Sequence, residues 1–337
     1  MTNVAIDVGK KKSYFVVEQN GMIVKECYVG TSRESFSSIL GEYPGSSVVM
    51  EASSTIDRIA PYVEAYTSDI TVAHPMKLKV ISQSMKKTDK NDAKILLELN
   101  RLGYVPESYL PSVDIRRSRD LTRNRNFLVK QRTAVKNRIR DQAFRLGMDF
   151  VNFNRKTDDE LRLISPVLRA LVNDLESLNH EIREIDKIIE ETVKITPSAA
   201  LLYTIPGVGY YGALAIASEI GDISRFPSED NIFSYAGMVP RIHQSGNMEW
   251  KGNIAKGNTF LKYLLVECVQ VHMMIRKDSP ITLAYERISK RSGSKKAKIA
   301  AARHLLRAIY YMIKRKQTYD EYIIQRRGVE LILLHTA

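Results

Sequence analysis

Short apolar runs, broken by glycines and polar turns, open the chain and predict a strand-rich first third. Asn3–Val8 reads as a buried strand. A lysine turn at Lys10–Lys12 leads to a second, Ser13–Glu18, and Gly21 separates that from a third, Met22–Val29. The three form a meander with glycine where tight turns need it. Glu34–Leu40 has helical spacing, Val48–Met50 is a fourth strand ending directly in Glu51, Ile56–Tyr66 is a second helix, and Ile70–Ala73 is a fifth strand. Strands alternating with helices make an α/β layer. A further helix opens within Lys87–Lys94, followed at helical spacing by Ile95, Leu96, Leu99 and Leu102.

Beyond residue 110 the period is helical throughout. Ile115–Leu146 keeps one apolar seam through Leu121, Leu128, Val135, Ile139 and Leu146. After a polar break at Asn152–Asp159, Leu161, Ile164, Leu168, Leu171, Leu175, Leu178, Ile182, Ile185 and Ile189 alternate spacings of three and four. That is a coiled-coil seam and predicts self-association. Ser165-Pro166 marks a first helical turn. Ile205-Pro206-Gly207-Val208-Gly209 precedes the Ala-rich helix Gly212–Ile220, a pairing that resembles a helix-hairpin-helix, in which Gly207 and Gly209 let backbone N–H groups approach a phosphate. Arg241–Gly246 reads as a polar loop holding one serine, Ser245. Lys251 and Lys256 follow, then an apolar helix with Leu261, Leu264, Leu265 and Cys268, and a final basic helix near Lys295–Lys316. The expected fold class is α/β plus α, in three parts: residues 1–152 with the α/β layer and the basic helix, a coiled-coil linker at 153–196, and a mainly helical domain at 197–337.

Charge narrows the partner. Fifty-one Lys and Arg face 38 Asp and Glu, a net charge of +13. Such a surplus favours a polyanion. No apolar run of about 18 residues exists and no secretory signal opens the chain, so membrane insertion is not expected. Cys27 and Cys268 supply neither a disulfide framework nor a zinc site, and the expected setting is a reducing cytosol, beside the nucleoid. Arg116, Arg117, Arg119, Arg123, Arg125, Lys130, Arg132, Lys136, Arg138, Arg140 and Arg145 face only Asp114, Asp120 and Asp141 along one helix. That imbalance exceeds salt-bridge lacing and predicts salt-dependent phosphate binding.

Four acids carry the candidate chemistry. Asp7 ends the first strand, Glu51 the fourth, and Asp89 and Asp92 sit in the first turn of a helix. Asp89 and Asp92 taken alone read as helix caps rather than as metal ligands. Together the four resemble a ribonuclease H or RuvC-type core, whose acids seat two divalent ions that clamp a phosphodiester. Lys86, Lys87, Lys90 and Lys94 flank the pair as a solvated face or as phosphate contacts. His243 lies near Ser245 without an identifiable Asp partner, so a hydrolase triad is not expected.

Asp7-Val8-Gly9, Val49-Met50-Glu51-Ala52-Ser53, Lys87-Thr88-Asp89-Lys90-Asn91-Asp92-Ala93, Ile205–Gly209 and Ser245-Gly246 occur in one order. That order resembles the DEDD transposases of the IS110 and IS1111 insertion sequences and their Piv-type invertase relatives. The resemblance implies a magnesium site of two ions on Asp7, Glu51, Asp89 and Asp92, and Ser245 as the nucleophile that forms a phosphoserine link to DNA. It further implies a structured bridge RNA pairing with target and donor DNA, and a dimer or tetramer with a site shared between subunits. Gln244 stands where the family often has a first of two serines, and the Gly252–Asn258 stretch is one residue shorter than the family's, between Lys256 and Gly257. Competing readings are a RuvC-type nuclease using activated water, a Piv-like invertase without guide RNA, and a non-catalytic nucleic-acid-binding scaffold.

Overall fold

The computed structural model describes residues 2–53, 55–81, 88–245, 248–254 and 257–326. The chain divides into two compact units, Met1–Val113 and Asp114–Ala337.

The first unit is built on strands β1 (Thr2–Asp7), β2 (Lys12–Gln19) and β3 (Met22–Gly30), helix α1 (Arg33–Leu40), strand β4 (Ser47–Glu51), helix α2 (Ile56–Glu64), strand β5 (Ile70–Ala73), and helices α3 (Pro75–Ile81) and α4 (Asp89–Arg101). The sheet order is β3-β2-β1-β4-β5; the first three strands are antiparallel, whereas β1, β4 and β5 run parallel. Side chains alternate across a strand, and the two faces bury separate cores. Val4, Ile6, Phe15, Val17, Val48 and Met50 pack with Phe36, Leu40, Ile59 and Val63 of α1 and α2. Ala5, Tyr14, Val16 and Val49 pack with Ala93, Leu96 and Leu97 of α4. Every strand predicted from the apolar runs is present, with ends shifted by a residue or two.

The second unit continues α5 (Val113–Arg145), which opens at the last residue of the first unit, and adds α6 (Phe150–Arg155), α7 (Asp158–Ile164), α8 (Pro166–Ile195), α9 (Pro197–Tyr203), α10 (Tyr210–Ile220) and α11 (Glu229–Tyr235). The hairpin β6 (Pro240–Ser245) and β7 (Met248–Ile254) and the helices α12 (Thr259–Ile275), α13 (Pro280–Ser292) and α14 (Ser294–Arg315) complete it. Its main core joins Ile189, Val193, Ile205, Leu214, Phe233, Leu265, Leu305 and Ile309. The described residues hold no helix long and apolar enough to cross a membrane.

Two features depart from the sequence expectation. Leu161 and Ile164, the first positions of the heptad seam, belong to the separate helix α7. A capping box of Thr157 and Glu160 starts that helix; Ser165, extended at φ −156°, ends it and caps α8, with Pro166 at the first position where no N–H is required. Within the chain, Leu168, Val172 and Leu175 are buried with Ile139 of α5, and Ile189 and Val193 join the main core. The stretch read as a polar loop is strand β6: Ile242 pairs with Lys251, His243 with Trp250, Gln244 with Glu249 and Ser245 with Met248. Polar residues dominate it, so no apolar run announces a strand.

Candidate active site

Asp7 and Glu51 follow the last pair of the β1–β4 ladder, Ile6 and Met50. Strand alternation puts both on the side of Ala5 and Val49, the face on which α4 packs. Both are half-buried. Asp89 and Asp92 lie in the first turn of α4, but the cap of that helix is Thr88, whose hydroxyl accepts from the Asn91 amide at 3.2 Å. The capping role is therefore filled without either aspartate, although both sit favourably at the positive end of the helix dipole.

Tyr28 of β3 connects two of the acids. Desolvation raises its phenol, and Asp89, which accepts a hydrogen bond from it, and the nearby charge of Asp7 raise it further. Asp7 and Asp89 thus share one neighbour. Next to it, Glu26 receives Lys90 at 2.7 Å, Lys94 at 2.5 Å and the Tyr14 hydroxyl at 3.0 Å. The Lys90 and Lys94 hydrogen bonds, in that order, bring its carboxyl down to about 2. Lys90 and Lys94 are engaged in this clamp. Lys86, Lys87 and Lys256 lie outside the described residues.

Carboxylate oxygens are the ligands a hard divalent cation selects, so the donor chemistry of Asp7, Glu51, Asp89 and Asp92 fits magnesium. Among the described residues, however, no three acidic, histidine or cysteine side chains come close enough to hold an ion. The acids share a face without closing a cage.

In the second unit Ser245 is the last residue of β6, and Lys251 lies on β7. The cations of α5 divide by environment. Arg116 is buried. Arg119 donates to the Ser218 and Glu219 carbonyls at 2.7 and 3.0 Å. Arg123 forks onto the Glu219 carboxylate, and Arg125 onto Asp186 while lying over the Tyr211 ring. Arg117 faces Asp114 at 3.8 Å. Lys130 and Lys136 are exposed, and Arg132 is half-exposed.

The Gly207 turn has φ +93°, and a Cβ there would stand 2.5 Å from the His272 backbone nitrogen. Its missing side chain lets the turn seat on α12. The His272 ring donates through Nδ1 to the Pro206 carbonyl at 2.7 Å, which leaves Nε2 to accept from Ser279 at 2.9 Å. Burial lowers the His272 value, keeping the ring neutral. Gly209 caps α10 with open space around it.

Sequence reasoning passed over Glu26, Tyr28, Glu219 and Asn258. Only Glu219 left a signal, as the one charged residue in the Ala-rich helix α10.

Comparison with known proteins places the chain. A family model described as a transposase of the DEDD IS110 type matches residues 4–145, and one described as a transposase of the IS116/IS110/IS902 family matches residues 199–287. The transposase for insertion sequence element IS1111A of Coxiella burnetii is 28% identical over 249 residues, covering 69% of this chain and 68% of that protein. The transposase for insertion sequence element IS1328 of Yersinia enterocolitica is 24% identical over 286 residues, 81% of this chain and 84% of that one. A pilin gene-inverting protein of Moraxella bovis is 30% identical over 203 residues, 59% of this chain and 58% of its own length. The first match contains Asp7, Glu51, Asp89 and Asp92, and the second contains Ser245. The chain belongs to the IS110/IS1111 family of transposases.

Proposed function

We propose that this protein cuts and rejoins DNA as an insertion-sequence transposase, with Ser245 as nucleophile and a bridge RNA choosing target and donor sequences. The observation that carries the reading is the placement of Asp7 and Glu51 on neighbouring strand ends, on the sheet face where α4 brings Asp89 and Asp92. That placement, with the sheet order, supports a ribonuclease H-like core. Asp7, Glu51, Asp89 and Asp92 would hold magnesium, which polarises phosphate oxygens when bound. The Ser245 oxygen attacks phosphorus, the bond to the 3′ oxygen breaks, and the serine proton passes through solvent to that departing oxygen, leaving a 3′ hydroxyl. Rejoining reverses these bonds. Exposed Lys130 and Lys136 hold nucleic-acid backbone, and the active assembly is a homo-oligomer, a dimer or tetramer.

Ser245→Ala is expected to abolish covalent protein–DNA adducts on DNA carrying the element's own ends, with RNA binding unchanged. Adducts that persist in this variant would assign cleavage to activated water. The likeness to pilin gene-inverting proteins supports a second reading, site-specific inversion without a guide. Sequencing the RNA that co-purifies with the protein separates the two: a discrete structured species supports the guided transposase, and its absence the invertase.

A further inference from the structure

The carboxylate of Glu219 is fully buried near the end of α10, and its partners come from two distant parts of the second unit. From α5, 96 residues away in sequence, Arg123 Nε reaches Oε1 at 2.7 Å and Nη2 reaches Oε2 at 3.0 Å. From the root of the hairpin, Asn258 Nδ2 donates to Oε2 at 2.7 Å. The backbone is used as well: the Glu219 carbonyl accepts from Tyr235 Oη at 3.0 Å and from Arg119.

Asn258 and Tyr235 bracket the hairpin in sequence, one after β7 and the other before β6. They are bound to each other, the Asn258 amide donating to the Tyr235 carbonyl at 2.7 Å. Between them the backbones of Gly237 and Gly257 approach so closely that a Cβ on Gly257 would overlap Gly237. Both strands of the hairpin therefore leave from one clamped base. A buried carboxylate is kept only where its partners are fixed, and removing one partner of such a set carries a large penalty.

We propose that Glu219 is a positioning residue: its carboxylate ties the base of the β6–β7 hairpin, through Asn258, to the basic helix α5, through Arg123, and so sets where the end of β6 bearing Ser245 stands. The inference rests on the reading of Ser245 as nucleophile for its catalytic consequence, but not for the tether itself.

The test uses Asn258→Asp. Asp retains the cap oxygen that accepts from Leu261 at 3.0 Å, yet turns the amide donor facing Glu219 into a like charge. The full chain is expected to form Ser245-dependent adducts about tenfold or more slowly in single turnover, with DNA affinity within about twofold of the parent. Amides of residues 240–254 are expected to exchange about tenfold faster, and the anisotropy of Trp250, the single tryptophan of the chain, to fall. The double variant Glu219→Gln/Asn258→Asp restores a donor–acceptor pair between the two positions with the roles exchanged, while the Arg123 Nη2 contact to the second oxygen of residue 219 is lost. It is expected to recover part of the lost rate and protection, ending nearer the parent than Asn258→Asp does. Unchanged exchange in Asn258→Asp, or no recovery in the double variant, overturns the proposal. If Ser245→Ala still forms adducts, the nucleophile assignment fails, while the exchange of 240–254 still decides the tether. Should Asn258→Asp lose cooperative unfolding, Asn258→Ser replaces it; serine still caps α12, is too short to reach Glu219, and carries the same expectations.

Discussion

Glu26 stands outside the acidic set and yet fixes part of it. Lys90 and Lys94 belong to the same helical turns as Asp89 and Asp92, and both converge on this one carboxylate of β3. With Tyr14 they hold α4 against the sheet edge. The folded-state value of Glu26, about 2, lies below that of an unfolded glutamate. The clamp therefore contributes stability above about pH 4.5 and loses it as pH falls toward 2. The carboxylate is partly solvated, so Glu26→Gln is expected to lower stability by only about 1 kcal/mol at neutral pH. It should also flatten the fall of Tm with pH across that window. Thermal unfolding of both proteins between pH 2 and about 7 checks this; curves that run parallel would remove the clamp from the account.

At the scale of elements, the turn between α9 and α10 contains two glycines with different jobs. Gly207 has a positive φ and presses on the α12 backbone, so Gly207→Ala combines strain with overlap. It is expected to cost about 2–4 kcal/mol and to lower Tm accordingly. Gly209→Ala meets open space, so a stability loss below about 1 kcal/mol is expected. If this turn approaches phosphate, DNA affinity should fall in Gly209→Ala while Tm barely moves. A thermal melt and a binding titration on each variant separate packing from contact. These contrasts also mark what the sequence makes legible. Apolar runs announced β1, β2, β4 and β5 because each buries residues of its own, whereas β3, with none fully buried, was marked by the glycine turn before it. The hairpin was missed because its pairing partner, not its composition, makes β6 a strand. The heptad seam ran across Ser165-Pro166, which the sequence already marks as a first helical turn and which divides it into two helices. Glu219 showed only as a lone charge in an Ala-rich helix, because its partners Arg123 and Asn258 meet it only after folding. The placement of Asp7 and Glu51 at neighbouring strand ends was legible because adjacent parallel strands put like positions side by side.

Across the whole molecule, the surplus of +13 is real but not all of it faces solvent. Along α5, Arg119 and Arg125 have protein partners, and Arg116 is buried, whereas Lys130 and Lys136 extend into water. A count of cations thus overstates the charge offered to a polyanion by that helix. Each phosphate neutralised by a cation contributes about −0.9 to the slope of log K against log salt on duplex DNA. Lys130→Gln/Lys136→Gln is therefore expected to reduce that slope in magnitude by about 2 if both bind phosphate, and to weaken binding alike on unrelated sequences. Arg125→Gln should leave the slope in place, because its guanidinium already forks onto Asp186, and should instead lower Tm by a few degrees through loss of that pair. Binding titrations over a range of salt, with melts on the same proteins, distinguish the two classes of cation. A slope that drops in Arg125→Gln and not in the lysine variant would mean that nucleic acid pulls Arg125 away from Asp186, and that the internal pairs of α5 are the contact surface.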